Sequence, residues 1–379
     1  MHVVWTPSWY PSVDHPLNGS FFAEQVQMLR EAGLEVGVLA LDPHSFWQGK
    51  PGAVERSDEG RVLRRAVPVL PKGVVPGDQG LIDHYAKPLA AAYEVAHGRP
   101  DVVHAHSVFP GLLLARALAD HWGVPFGITE HRPSSLERSP GPRLAAISRA
   151  VSRTQFRLTV SAGMARRATD FYGLDFEALP LPVSPAFIEV ERERGEDDHF
   201  VFLHMSMLDR NKRPEETVRA FAEVHRQYPQ ARLLVGGGKA DRVAQVREVA
   251  CALGVGKAVT FLGEVARSDV PALMANADCH VLFSAQEAGG VVFSEAHATG
   301  TASIASATDG GTFQVTKEMG MVVPVDDVGA LARAMADMIG AKKAGAFGRN
   351  SVRAAAMSRV SAHVYATRTA EIYRGISGL

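Results

Sequence analysis

Short apolar runs alternate with helix-forming segments along most of this chain, and the alternation occurs in two separate blocks. This is the pattern of a parallel sheet that is covered by helices on both faces, so each block predicts a doubly wound α/β domain. In the first block we expect strands over residues 2–5, 35–41, 101–104, 126–129 and 156–160, and helices over 21–32, 80–97, 111–122 and 163–172. In the second we expect strands over 200–204, 231–236, 259–262, 280–284 and 300–305, and helices over 215–227, 240–253, 270–275, 328–340 and 349–376.

A change of composition separates the two blocks. Residues 180–185 are rich in proline, and residues 189–198 are strongly charged and show no apolar periodicity. A chain of 379 residues is too long for one compact core and about right for two. We therefore place the linker between or just across these segments, with a first domain over residues 1–185 and a second domain over residues 186–355.

Charge, cysteine content and hydropathy exclude several classes of protein. The 40 Lys and Arg residues and 41 Asp and Glu residues give a net charge of −1, which argues against general nucleic-acid binding because that depends on excess positive charge. Cys251 and Cys279 have no CxxC partner, so we expect buried reduced thiols and neither a disulfide framework nor a zinc site. The sequence has no signal peptide and no apolar run near the ~20 residues of a membrane span, which predicts a cytoplasmic protein.

Two carboxylates lie on either side of a predicted helix start. The strand over 280–284 is followed by Glu287, by Gly289 and Gly290, and then by a helix that carries Glu295. The unpaired N–H groups and positive dipole end of a helix attract a diphosphate. Glu287 can then accept hydrogen bonds from sugar hydroxyls, and Glu295 can reach ribose hydroxyls. The same fragment is also compatible with an ordinary strand–Gly-Gly–helix turn with both glutamates in solvent.

A second candidate site is the basic loop before the helix that begins near Pro214. It carries Arg210, Lys212 and Arg213, and three cations at a helix start could neutralise a departing nucleoside diphosphate. An exposed basic turn is the alternative. The glycines around Gly237 end the next strand, where either a tight turn or a close approach of backbone to a nucleotide explains them.

The order strand, Glu287, Gly-Gly, helix with Glu295, strand and Gly-rich loop resembles the Glu-x7-Glu signature of retaining glycosyltransferases of family 4. The neighbouring residues depart from the family pattern, since Ala302 replaces a proline and Gln314 stands near the position of a third acid.

In the basic loop the interval from Leu208 to Lys212 matches the family, but Met207 stands where its phosphate-binding arginine is usual. Arg210, or else Arg213, is the expected substitute.

This resemblance implies the GT-B fold, in which two Rossmann-like domains face a central cleft and the last helix crosses back to the first domain. We expect that helix over residues 356–379, with Tyr365, Ile372 and Tyr373 as its packing residues.

The donor would bind mainly to the second domain and the acceptor to the first. Lys212 and Arg210 would stabilise the departing diphosphate, Glu287 would orient the sugar and Glu295 would hold the ribose. The donor site would also include Gly237 and the helix start at Gly289, Gly290 and Val291, with the base near residues 261–264.

In the first domain, the family places a glycine after the first strand and a sugar-contacting histidine at a later strand end. Gly19 matches the glycine, which would let backbone N–H groups face the diphosphate, although an Asn-Gly turn explains it as well. His131, next to Glu130, matches the histidine. His104 and His106 could suggest a metal pair, but no third ligand stands at a sensible spacing, so local hydrogen bonding or a place in the cleft lining is the preferred interpretation.

Eight arginines lie between residues 132 and 167, where acids are few. A solvated basic face is the preferred interpretation. A patch that meets anionic lipid headgroups or an acceptor phosphate is the alternative, and it leaves open a peripheral contact at the inner face of a membrane.

The sequence therefore predicts a retaining hexosyltransferase that moves a sugar from a nucleotide-diphosphate sugar, UDP-linked rather than GDP-linked, to a hydroxyl. The acceptor would be a sugar, a lipid-linked glycan or a small molecule in cell-envelope or glycoconjugate synthesis. No Asp-x-Asp motif offers metal ligands, so no metal or other cofactor is expected.

A GT-B sugar-nucleotide epimerase or hydrolase and a non-catalytic nucleotide-sugar-binding protein stay as alternatives. A dinucleotide-dependent oxidoreductase is disfavoured because GxGxxG does not follow the first strand.

Overall fold

The computed structural model describes residues 1–12, 15, 18–69, 78–136, 141–193, 195 and 199–378. They form two compact units, one made of Met1–Pro180 with Ala362–Leu379 and the other of Leu181–Ser361. The boundaries expected at 185/186 and 355/356 lie a few residues away from these divisions. The Val183 N–H donates to the Val360 carbonyl (3.0 Å) and Phe187 is buried, so the proline-rich segment after Pro180 packs on the second unit. Parts of the charged segment, at 194 and 196–198, lie outside the described residues.

The first unit is built on a mainly parallel sheet. Its strands in the described part of the chain are β1 His2–Pro7, β2 Glu35–Ser45, β3 Glu55–Ser57, β4 Val62–Val69, β5 Val102–His106, β6 Phe126–Glu130, β7 Phe156–Thr159 and β8 Glu177–Ala178. They lie in the order β3-β4-β2-β1-β5-β6-β7-β8, and β3 alone among them runs antiparallel to its neighbour. The covering helices are α1 Ser20–Glu31, α2 Asp78–His97, α3 Leu113–Trp122, α4 Gly141–Val151 and α5 Ala162–Tyr172.

The apolar run of β1 is buried on both faces of this sheet. Val4 packs into the core on one face, while Val3 and Trp5 pack into the core on the other. A central parallel strand has no solvated face, which is why its sequence is continuously apolar and does not alternate.

The second unit has a smaller, fully parallel sheet. Its described strands are β9 Val201–Met205, β10 Arg232–Gly236, β11 Val259–Gly263, β12 Cys279–Leu282, β13 Ala302–Ser306 and β14 Gly320–Val323. Their order is β11-β10-β9-β12-β13-β14. The helices are α6 Ala186–Glu189, α7 Pro214–Gln227, α8 Ala240–Ala252, α9 Val270–Asn276, α10 Val291–Ala298, α11 Asp309–Gln314, α12 Val328–Lys343 and α13 Arg349–Val360.

The last helix, α14 (Ala362–Ser377), returns to the first unit and confirms the expected packing residues. Tyr373 is fully buried, and its hydroxyl accepts a hydrogen bond from Trp5 Nε1 (3.0 Å). The Tyr365 hydroxyl donates to Gln25 Oε1 (3.0 Å), and Ile372 is partly buried against the same core.

Several elements differ from the sequence-based expectation. Strands β3, β4 and β14 and helix α4 were not predicted, and the helix expected over 349–376 breaks at Ser361, whose ψ of 151° is extended. The Gly-rich segment expected as a turn is helix α11, because the Thr308 side chain caps it by accepting from the Gly311 N–H (3.1 Å). Cys279 is buried as expected, but Cys251 is exposed, since it lies on the outer part of α8.

In the described part of the chain, no helix combines the length and the apolar character that a membrane crossing requires.

Candidate functional site

The residues after β9 and β12 meet at the point where the second sheet reverses its strand order. The chain passes from β9 to β10 on one side, and β12 lies on the other side of β9. In open parallel sheets, ligands bind outside the carboxyl ends of the strands at such a switch point. The basic loop and the loop with the first glutamate both leave the sheet here.

Asn211 joins these two loops. Its backbone carbonyl accepts from the Ala285 N–H (2.7 Å), its side-chain oxygen accepts from the Gln286 N–H (2.9 Å), and its amide nitrogen donates to the Gln286 carbonyl (2.9 Å). Three hydrogen bonds from one residue hold the loops as a single surface. Sequence reasoning missed Asn211, because a pairing across 75 positions leaves no local pattern.

Lys212 and Glu287 form an ion pair at this surface, with Nζ and Oε2 2.5 Å apart. Their side chains are 21% and 17% exposed, so solvent screens the pair less than it would screen an exposed one. The Lys212 N–H also donates to Asp209 Oδ1 (3.1 Å), which fixes the turn. Sequence patterns assigned these two residues separate roles, whereas the structure places them in direct contact.

The other two cations of the basic loop differ in their surroundings. Arg213 pairs with Asp326, and its guanidinium lies 5.7 Å from the centre of the Phe283 ring. Arg210 is exposed and makes no ion pair with the residues that the structure describes. Of the two candidates to replace the arginine absent at Met207, Arg210 is therefore the one whose charge is available to a ligand.

The start of α10 is held by backbone contacts. Gly290 has a φ of 63°, and a Cβ there would lie 2.9 Å from Phe293 Cδ2, so the position requires glycine. Gln314 Nε2 donates to the Gly289 carbonyl (2.8 Å), and the Gly310 N–H donates to the Glu287 carbonyl (2.7 Å). Among the described residues no side chain caps the helix, so the N–H groups of Val291 and Val292 are open to an anion, while the Phe293 N–H donates to the Gly290 carbonyl (2.9 Å).

Glu295 lies within α10 and is buried, with a residual exposure of 6%. Its Oε1 accepts from Arg267 Nη2 at 2.6 Å, and the same guanidinium lies 4.8 Å from the centre of the Phe187 ring. The pairing with Arg267 compensates the cost of burying this carboxylate. Sequence reasoning did not single out Arg267, which precedes α9 and is distant from Glu295 in the chain.

Gly237 directly follows β10, where its φ is 95° and its N–H donates to the Gly263 carbonyl (2.6 Å). A Cβ at this position would collide with the Ser206 carbonyl oxygen. Loop packing alone therefore accounts for the glycine. In the segment expected near the base, the Arg247 guanidinium lies 4.8 Å from the centre of the Phe261 ring.

In the first unit, the corresponding reversal of strand order lies between β1 and β5. Gly19, directly before α1, has a φ of 78°, and a Cβ there would lie 2.8 Å from Trp9 Cδ1. The Ser8 N–H donates to the His106 carbonyl (3.0 Å), so the loop after β1 is tied to the end of β5. Gly19 thus lies in the loop at the carboxyl end of β1, and its role at a diphosphate stays a prediction.

Three histidines lie near this edge. His131 Nε2 is 3.1 Å from His106 Nδ1, while His104 contacts the Tyr373 hydroxyl (2.6 Å) and Thr129 Oγ1 (2.8 Å). His104 and His106 thus have local protein partners, as the preferred interpretation expected. Burial lowers the pKa of His131 to about 3, and the charge of Arg132 acts in the same direction, so His131 is neutral near pH 7.

Glu130 fixes the backbone around His131. It is 1% exposed and accepts hydrogen bonds from the N–H groups of Val108 (2.9 Å), His131 (2.8 Å) and Arg132 (2.7 Å), and from Ser107 Oγ (3.0 Å). Burial raises the pKa of this carboxyl, while the backbone donors lower it. Glu130 therefore positions the histidine loop, a role that sequence reasoning did not assign.

The arginines between 132 and 167 do not share one set of contacts. Arg132 lies 3.6 Å from the centre of the Trp9 ring, Arg143 pairs with Asp78, and Arg153 pairs with Asp120 (2.5 Å). Arg138, which belongs to the same run, lies outside the described residues. A lipid-binding patch in this region stays a prediction.

Comparison with known proteins identifies both units. Residues 187–351 match the model of the glycosyl transferases group 1, and residues 19–187 match the model of glycosyltransferase family 4. The chain is 26% identical over 317 residues to D-inositol 3-phosphate glycosyltransferase of Pseudarthrobacter chlorophenolicus, which covers 76% of this chain and 74% of that protein. It is 26% identical over 209 residues to the putative teichuronic acid biosynthesis glycosyltransferase TuaC of Bacillus subtilis, covering 52% and 54% of the two chains.

Solved structures agree with the fold. Anabaena Alr3699/HepE in complex with UDP and glucose matches with a TM-score of 0.70 and 18% identity over 100% of both chains. A glycosyltransferase from Rickettsia africae matches with a TM-score of 0.73 and 15% identity over 99% and 98% of the chains. With two Rossmann-like units and a family domain matched in each, this chain belongs to the family 4 glycosyltransferases with the GT-B fold.

Proposed function

We propose that the protein is a retaining hexosyltransferase that uses a UDP-sugar and needs no metal ion. The observation that carries the proposal is the Lys212–Glu287 ion pair, which lies at the switch point of the second sheet beside the uncapped start of α10. The Anabaena HepE structures, one of them with UDP and another with UDP-glucose, support the choice of donor.

In this proposal the diphosphate binds at the start of α10. The N–H groups from Val291 onward and the helix dipole favour the anion. Arg210 adds a cation without a competing carboxylate among the described residues. The arriving phosphates also compete with Glu287 for Lys212, whose ammonium is within reach of both. Charge that develops on the departing UDP is then stabilised by groups already in place.

Glu287 acts on the sugar. Once Lys212 turns towards phosphate, the Glu287 carboxylate accepts hydrogen bonds from sugar hydroxyls and fixes the orientation of the ring. Gly289 and Gly290 have no side chains, so their backbone can approach the donor closely. Gln314 and Gly310 hold this loop in place by donating to the carbonyls of Gly289 and Glu287.

Transfer with retention requires no nucleophile from the protein. The bond from the anomeric carbon to the phosphate oxygen breaks, a bond to the acceptor oxygen forms on the same face, and the acceptor proton passes to the departing phosphate. The protein's contribution is electrostatic and positional, which suits a site built from an ion pair, an arginine and a helix start.

Glu295 and His131 complete the assignment. Glu295 accepts hydrogen bonds from the ribose hydroxyls, and Arg267 orients it through their ion pair. His131 is held by Glu130 and His106, which leaves Nδ1 to meet a sugar hydroxyl as a neutral imidazole. Gly19 brings backbone N–H groups towards the donor.

The acceptor is proposed to be a hydroxyl of a sugar, a lipid-linked glycan or a small molecule in envelope or glycoconjugate synthesis. Support comes from the named activities of the relatives, one in teichuronic acid biosynthesis and others on inositol 3-phosphate.

Proton NMR of donor turnover tests the mechanism without knowledge of the acceptor. UDP-glucose, UDP-galactose and UDP-N-acetylglucosamine are incubated with the protein and EDTA, with water as a slow acceptor. A retaining enzyme releases the α-anomer of the hexose first, and Lys257→Met, at an exposed lysine remote in sequence from the site loops, gives the same signal. Initial release of the β-anomer would overturn retention, a 2-epimer of the donor would identify an epimerase, and loss of turnover in EDTA would contradict metal independence.

A further inference from the structure

A cavity of about 170 Å³ lies in the first unit at the amino ends of the strands, whereas Gly19 and His131 lie at the carboxyl ends. It is lined by His2, Glu35, Val36, Arg61, Tyr93 and His97. These residues come from the starts of β1 and β2, the residue before β4 and the end of α2. Nothing in the transfer reaction uses them.

The hydrogen bonds of His2 determine what Tyr93 offers to this cavity. His2 Nδ1 lies 3.2 Å from the Arg99 carbonyl, which can only accept, so Nδ1 carries the proton. Burial lowers the pKa of His2, and the neutral ring then accepts at Nε2 from the Tyr93 hydroxyl, 2.8 Å away. Because Tyr93 uses its proton in this bond, its oxygen is left as an acceptor.

The position of this hydroxyl depends on Gly37. A Cβ at residue 37 would collide with the Tyr93 hydroxyl oxygen, so any side chain at this one position would displace the hydroxyl. His97 packs against the same ring, with centroids 5.0 Å apart.

Two oppositely charged side chains at the cavity have no ion-pair partner among the described residues. The side chains of Glu35 and Arg61 form no hydrogen bond or ion pair with each other or with any other residue that the structure describes. Arg30, a nearby cation, differs because it pairs with Asp58 and donates to the Val36 carbonyl (2.9 Å). The cavity therefore offers one carboxylate, one guanidinium and the acceptor oxygen of Tyr93.

We propose that this cavity binds a small zwitterion of the amino-acid class. The ligand's ammonium donates to Glu35 and to the Tyr93 oxygen, and its carboxylate accepts from Arg61. The volume suits a small ligand, since it is below the ~300–1,000 Å³ of pockets for drug-sized ligands. It equals the space of roughly six waters, which suits an amino acid.

Calorimetric titration of the full-length chain tests the proposal without donor or acceptor, so its outcome is independent of the transferase assignment. The probes are glycine, L-alanine, L-serine and L-glutamate, with acetate, methylammonium and glucose as partial or uncharged analogues. We expect at least one zwitterion to bind at millimolar concentration or below, while acetate, methylammonium and glucose do not. Glu35→Gln and Arg61→Gln should each weaken that binding by about tenfold or more, because each removes a charge-assisted hydrogen bond.

Tyr93→Phe should weaken the same binding by several-fold, while Glu248→Gln, at an exposed glutamate of α8 in the second unit, should leave it unchanged. Circular dichroism verifies that each variant is folded; Glu35 and Arg61 are exposed, so their replacement should not disturb the core. The proposal is overturned if no zwitterion binds, if acetate binds as tightly as L-alanine, if glucose binds in their place, or if the two charge variants bind like the wild type.

Discussion

Lys212 pairs with the Glu287 carboxylate in the structure. In the proposed complex it pairs with a phosphate of the donor instead. Lys212→Met keeps most of the side-chain stem and removes the charge. We expect kcat to fall about 10²- to 10³-fold, the loss found when one preorganised charge or donor is removed from a transition state. Steady-state kinetics with a UDP-sugar measures it.

Lys257→Met is the matched control for this change, since Lys257 is exposed and precedes β11 outside the site loops. Wild-type kcat in Lys212→Met would show that the ion pair with Glu287 only holds the two loops together.

Glu295 offers a test of binding rather than of turnover. Glu295→Gln keeps the shape of the side chain and weakens both its bond to Arg267 and its proposed bonds to ribose. We expect UDP affinity to fall about tenfold or more, because hydrogen bonds to a charged group contribute ~1.5–3 kcal/mol. Calorimetry of UDP binding gives the value, with the exposed Glu248→Gln as the control. Unchanged affinity in Glu295→Gln would remove this residue from the donor site.

At the scale of elements, the Tyr373 hydroxyl alone joins α14 to the first sheet by side-chain hydrogen bonds within the described residues. Tyr373→Phe leaves Trp5 Nε1 and His104 Nδ1 without this partner in a buried setting. We expect the free energy of unfolding of the first unit to fall by about 2–4 kcal/mol, since each buried group left unsatisfied costs ~1–3 kcal/mol. All four tryptophans, at positions 5, 9, 47 and 122, lie in this unit, so denaturation followed by tryptophan fluorescence reports on it alone.

Tyr85→Phe is the control for that experiment, because the Tyr85 hydroxyl makes no hydrogen bond with described residues. Equal stability of Tyr373→Phe and Tyr85→Phe would mean that apolar packing alone holds α14 in place.

The sequence located most strands and helices, and its errors have physical causes. β4 was missed because Arg64 and Arg65 interrupt its apolar pattern, yet Arg64 is accommodated by an ion pair with Asp42 (2.7 Å). Helix α11 was expected as a turn because glycines disfavour helices, but Gly310 sits too close to the Gly290 backbone for any side chain. Local propensity gave the wrong result in both places because a tertiary contact decided the structure.

The candidate site could be predicted only as separate pieces. Spacing along the chain located Lys212, Glu287 and Glu295, because each belongs to a local motif. The contacts that organise them come from Asn211 and Arg267, whose partners are distant in sequence. Such contacts follow from the folded sheet and not from a local pattern.

At the scale of the whole molecule, buried histidines make stability depend on pH. Burial lowers the pKa of His131, His204, His280 and His297 to about 3, and that of His104 and His106 in the same direction. Below pH ~6.5 the unfolded chain takes up protons that the folded chain refuses, so stability is retained above that pH and lost as the pH falls towards 3.

Tryptophan fluorescence again follows the first unit, which holds His104, His106 and His131. We expect its free energy of unfolding to be lower at pH 5.5 than at pH 7.5, by about 1.4 kcal/mol for each of these histidines. Denaturant titrations at the two pH values measure the difference. Equal stability would show that the histidines are protonated in the folded protein.

Nucleotide binding without added metal is the first measurement to make on the proposed donor site. Calorimetry compares UDP, GDP, ADP and NAD on the wild type and on Glu295→Gln. We expect UDP to bind most tightly in the presence of EDTA, and Glu295→Gln to weaken UDP binding. Binding of NAD alone, binding of none of the four, or UDP binding that Glu295→Gln leaves unchanged would contradict the assignment of this site to a UDP-sugar.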